Sequence, residues 1–109
     1  MSNVARVAGQ AANTLVKPLE VEDLFSTYLY TGTGSSQTIT NGIDLDGEGG
    51  LVWLKARSNQ QNNWWYDSER SSFAAGVRSD TTAQEYNPGT SVTSVSSSGF
   101  TLGTYGEIN

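Results

Sequence analysis

Gly50-Leu51-Val52-Trp53-Leu54-Lys55-Ala56-Arg57 holds the longest apolar run in the chain, bounded by glycines on one side and by two cations on the other. Four consecutive apolar residues between turn signals read as a short strand covered on both faces, because a helix needs a longer periodic stretch. Leu51, Trp53 and Leu54 are accordingly expected in the core, Trp53 foremost. Lys55 and Arg57 then return the chain to the surface, and Ser58-Asn59-Gln60-Gln61-Asn62-Asn63 forms a polar loop.

Working outward, the following run, residues 64–68, alternates Trp64, Tyr66 and Ser68 against Trp65 and Asp67, the period of a strand. Residues 76–78 make a short strand candidate. Residues 80–89 form a loop with the turn signal Asn87-Pro88-Gly89. Residues 91–95 and 99–103 read as two strands joined through Ser96-Ser97-Ser98. Before the central run, residues 25–30 set Phe25, Thr27 and Leu29 against Ser26, Tyr28 and Tyr30, a strand with weight on both faces. Residues 37–40 and 43–45 flank Asn41-Gly42, a hairpin signal since a type I′ turn needs positive φ at both central positions. Strands about every ten residues imply an all-β fold, a small antiparallel β-sandwich of jelly-roll character over residues 24–109.

Composition agrees. Of 109 residues, 51 are Ser, Thr, Asn, Gln or Gly, a β-rich and turn-rich balance. The chain has no His and no Cys, which removes Ser-His-Asp triads, thiolate chemistry, disulfides and every zinc site with nitrogen or sulfur ligands. Six basic residues against eleven acidic ones give a net charge of -5, and the cations are scattered, so nucleic acid is not an expected partner. No run of about eighteen apolar residues crosses a membrane. The first fifteen residues lack the apolar core of a secretory signal.

Residues 1–23 differ from the rest. Val4, Val7, Ala8, Ala11 and Leu15 fall at helical spacing, with Ser2 or Asn3 as N-cap and Pro18 as stop. The stripe is narrow, and Gly9 inside it costs about 1 kcal/mol relative to Ala. These five residues are therefore expected to dock on a partner or on symmetry mates, with residues 17–23 as an acidic hinge. A frayed tail and a helix capping its own domain are the alternatives.

Three local patterns invite chemical readings. Asp44, Asp46 and Glu48, with Gly49 at position 6 and Leu51 at position 8, match the first half of an EF-hand loop. Position 12 is Lys55 where a bidentate Glu is needed, so a turn without metal is expected. Trp64, Trp65 and Tyr66 beside Asn62, Asn63 and Asp67 form a candidate glycan platform, although strand alternation sends neighbouring tryptophans to opposite faces, and packing is the competing role. Asp67 and Glu69 are two carboxylates on one strand face, a spacing too common to imply glycoside hydrolysis. A solvated face with Arg70 and Arg78 as counter-charges is the simpler expectation. No catalytic residue and no cofactor is expected.

Residues 50–57, then Tyr66-Asp67-Ser68-Glu69-Arg70, then Ser98-Gly99-Phe100-Thr101-Leu102-Gly103 form an ordered set that resembles the concanavalin-like or LamG-like modules of tailed-phage tail and fibre proteins, especially of aquatic phages. The resemblance covers residue 25 onward and includes residues 30–37 and 40–45. It implies a virion structural protein of the tail or fibre, assembling with copies of itself as a homotrimer and with other virion proteins. Head decoration and glycan-binding host recognition are its alternatives. Such modules continue with a strand ending in a Tyr-Val-Ala-Trp-like run, whereas this sequence ends at Glu107-Ile108-Asn109, which implies the N-terminal part of a longer fibre.

Overall fold

The computed structural model describes residues 18–70 and 72–109, so the docking stripe of Val4, Val7, Ala8, Ala11 and Leu15 lies outside the described residues. Among the described residues, one helical turn, α1 (Val21–Leu24), precedes six strands: β1 (Gln37–Thr40), β2 (Leu51–Leu54), β3 (Trp64–Asp67), β4 (Val77–Arg78), β5 (Val92–Ser96) and β6 (Gly99–Leu102). They form two antiparallel sheets, ordered β1-β6-β5 and β2-β3-β4. The chain thus opens in one sheet, builds the other as a meander, and returns. An all-β sandwich is the result.

Alternation builds the core between the sheets. Ile39 on β1 pairs with Phe100 on β6, and Val92 on β5 pairs with Leu102. Val52 and Leu54 on β2 and Trp64 and Tyr66 on β3 face them from the second sheet, with Leu45 and Ile108 closing the cluster. Trp64, Tyr66 and Leu102 have no exposed surface. Gly99 permits a close approach, because a Cβ there would lie 2.0 Å from the Ile39 carbonyl oxygen.

Three expectations need correction. The apolar run is an edge strand covered on one face only: Val52 and Leu54 are buried, while Leu51 and Trp53 are 58% and 57% exposed. An unbroken apolar run cannot distinguish double coverage from an edge strand whose outer face is itself apolar. Asn41-Gly42 does turn the chain, with Gly42 at φ 84, yet no hairpin follows. The amides of Asn41 and Gly42 both donate to the Ser98 carbonyl, at 3.1 and 2.9 Å, and those of Leu45 and Asp46 to the Ser96 carbonyl. The local turn signal was outcompeted by pairing with β5 and β6, some 60 residues away in the β1 register. Finally, residues 25–30 form no strand. Phe25 has extended backbone, φ -145 and ψ 130, but the segment has no ladder partner among the described residues.

Candidate functional site

The outer face of the β2-β3-β4 sheet carries a row of apolar side chains set by register. Trp53 pairs with Trp65 and Trp65 with Val77, so the three lie side by side, with Leu51 next to Trp53 along β2. The indoles of Trp53 and Trp65 stack with centroids 5.0 Å apart and planes 3° from parallel. Trp65 is thereby half-buried, and its indole Nε1 is enclosed with no hydrogen-bond partner among the described residues.

The candidate glycan platform is thus split. Trp64 and Tyr66 are core residues, and only Trp65 reaches the outer face. Its companion there is Trp53, which sequence reasoning placed in the core. The signal was available as the parity of residues 53 and 65 in an antiparallel pair, but the register that joins them is not local.

Asp67 closes the strand, and Glu69 sits in the turn beyond it rather than on the same strand face. The Asp67 carboxylate accepts from the Glu69 amide at 3.0 Å and from Arg70 Nε at 3.1 Å, while Arg70 reaches Glu85 at 2.8 Å. The second counter-charge is therefore not Arg78. Arg78 turns inward, its guanidinium carbon 4.9 Å from the Trp64 ring centroid.

Inside, Trp64 organises a polar cluster that no sequence motif announces. Its Nε1 donates to Glu107 Oε1 at 2.9 Å, Asn62 donates to the same oxygen at 3.0 Å, and the Tyr105 hydroxyl donates to Oε2 at 3.0 Å. Burial alone would raise the Glu107 pKa, but the three donors and nearby Arg78 outweigh it and hold it below the ordinary carboxylate value. Burial and the bond to Glu107 push Tyr105 up to about 12. Both oxygens of this carboxylate are engaged, Oε1 by Trp64 and Asn62 and Oε2 by Tyr105, so the cluster acts as a clasp on the fold.

The acidic turn behaves similarly. Asp44 Oδ1 accepts from the Gly47 amide at 2.7 Å, an Asx-type closure, and Asp46 and Glu48 point to solvent. Gly50 is bolted to Ser68 Oγ at 3.0 Å.

A second apolar feature lies at the start of the domain. Leu19, Val21, Leu24, Phe25, Tyr28 and Leu29 are each 51–73% exposed, and α1 buries none of its residues. The segment joins the core at Tyr30, whose hydroxyl donates to the Ile108 carbonyl. Asn109 secures the next stretch, accepting from the Thr33 amide and Gln37 Nε2 and donating to the Ser35 carbonyl. A cleft of about 470 Å³ opens there, lined by residues 28–32, 55–59 and 106–109.

Residues 20–109 match the family described as "Domain of unknown function (DUF7483)", and the chain belongs to that family. No curated protein matches the chain. No solved structure matches it either.

Proposed function

We propose that the chain is a non-enzymatic structural module of a phage virion, part of the tail or fibre, that works by packing against copies of itself and other virion proteins. The observation that carries the reading is the placement of apolar surface. Six large apolar side chains of residues 19–29, and Leu51 and Trp53 on the outer sheet face, stand more than half exposed. Soluble monomers rarely leave contiguous apolar patches beyond a few hundred Å² in water, and covering such surface gains about 25 cal/mol per Å². The placed carboxylates, by contrast, serve the fold: Asp67 holds Arg70 and a turn, and Glu107 holds Trp64. The resemblance of residues 50–57, 66–70 and 98–103 to tail and fibre modules supports the virion assignment. Immunogold labelling of phage particles that encode the chain tests it. Label on the tail or fibre is expected; label on the head would make it a decoration protein, and protein found only outside particles would overturn the reading.

One observation favours a second reading, glycan binding in host recognition. The Trp53–Trp65 stack presents a broad aromatic surface on a sheet face, with Trp53 57% exposed, and such rings stack on sugars. A glycan array in which binding disappears for Trp53→Ala, with the melting temperature retained, would support it. An array without hits would remove it.

A further inference from the structure

Residues 25–30 have the composition and alternation of a strand covered on both faces, and they have no ladder partner among the described residues. We propose that this segment pairs with the same segment of a second copy, antiparallel about a twofold axis. The inference rests on the assembly reading and goes beyond it by naming the partner, the segment and the direction.

Three observations carry it. A run of β-forming residues outside every ladder is a template for strand addition, and beyond the Phe25 amide, which donates to the Val21 carbonyl at 2.8 Å, residues 25–30 join no sheet among the described residues. Here Tyr30 fixes one end of the run on the core, while the run itself stays open along Phe25, Tyr28 and Leu29, at 68%, 51% and 73% exposure. The second observation is area. At roughly 150 Å² per large side chain and 51–73% exposure, Leu19, Val21, Leu24, Phe25, Tyr28 and Leu29 hold on the order of 600 Å², against roughly 800 Å² per partner in a stable interface.

Charge supplies the direction. Glu20 and Glu22 stand exposed at the N-terminal end of the segment, beside Asp23, whose carboxylate accepts from the Glu20 amide. At the other end, residues 28–32 share their cleft with Lys55 and Arg57, both exposed and in no ion pair among the described residues. Antiparallel pairing sets each copy's acidic turn beside the other's Lys55 and Arg57. Parallel pairing would stack Glu20 on Glu20 and leave the cations facing each other. A twofold contact of this kind yields dimers or other even-numbered species rather than an isolated trimer.

The chain has no cysteine, so introduced ones report without background. Full-length Phe25→Cys is mixed with Leu29→Cys under mild oxidation, with each variant alone as control. An antiparallel pair centred on Thr27, which sets Phe25 opposite Leu29 of the other copy, brings positions 25 and 29 within the roughly 7 Å Cα limit of a disulfide. Both side chains are exposed, so the fold tolerates the changes, and thermal melts verify it. The mixture should cross-link at least fivefold more than either variant alone. Lys55→Glu with Arg57→Glu should reduce the mixed product severalfold, and adding Glu20→Lys with Glu22→Lys should restore it. Equal cross-linking in the single-variant controls would indicate parallel or random contact and overturn the proposal, as would absence of product or trimers alone. Loss of the product in a Val7→Asp, Leu15→Asp chain would assign the segment's partner to residues 4–15 and also overturn it. If particles carry the chain but the mixed disulfide fails, only the pairing falls; if the disulfide forms and particles lack the chain, only the virion reading falls.

Discussion

The two sheets share an architecture and differ in what they show to water. On the β1-β6-β5 sheet the outer face is hydroxylic: Thr38 and Thr101 meet through their Oγ1 atoms at 3.3 Å, and Thr93 donates to the Thr101 carbonyl. On the β2-β3-β4 sheet the corresponding face carries Leu51, Trp53, Trp65 and Val77. Both inner faces feed one core. Folding therefore needs only the inner faces, and the apolar outer face of the second sheet is surplus to it. That surplus, like the uncovered segment at residues 19–29, is what the assembly reading explains.

Neighbouring tryptophans give the largest test of this contrast. Trp64→Ala should cost about 3–5 kcal/mol, because Trp64 is fully buried and its loss also removes one of the three donors to Glu107 and the ring beneath Arg78. A domain of this size is expected to lose its cooperative melt. If the variant melts near the wild-type temperature, the inner and outer assignments of β3 are wrong.

Glu107 sharpens the inner side. Its pKa is lowered in the folded state, so its contribution is fully present above the unfolded value of about 4.3 and is lost as pH falls through the folded value. At neutral pH, Glu107→Gln should lower stability by about 1–2 kcal/mol, and the gap should close on acidification as the wild-type carboxylate protonates. A gap that stays constant from neutral to acid pH would show that the charge of Glu107 is not what the clasp uses.

Much of this division was legible before folding. The parity of Trp64, Trp65 and Tyr66 predicts one indole in and one out, and β2, β3, β5 and β6 all fall where alternation and turn residues put them. Long-range choices were not legible. Whether Leu51 and Trp53 face a neighbour or water depends on what covers β2, and nothing in residues 51–54 encodes that. The partner of Trp64 Nε1 lies 43 residues away, and the strand expected at 25–30 fails because a strand needs a neighbour as well as a propensity.

Outer-face changes should be mild for folding and unequal for association. Trp53→Ala should cost about 0.5–1.5 kcal/mol, the worth of its stack on Trp65, while lowering self-association. A cost as large as that of Trp64→Ala would place Trp53 in the folding core after all. On the hydroxylic face, Thr38→Ala should change stability by no more than about 0.5 kcal/mol and leave association untouched. A loss of association there would erase the distinction between the two faces.

The central claim is that the exposed apolar surface is contact surface. Sedimentation equilibrium of the full chain, compared with a Leu24→Ser, Leu29→Ser variant whose substitutions lie outside the core, measures it most directly. The account predicts reversible, concentration-dependent association of the wild-type chain and a marked weakening in the variant at unchanged melting temperature. A wild-type chain that stays monomeric across the accessible concentrations, or a variant that associates as strongly, would contradict it.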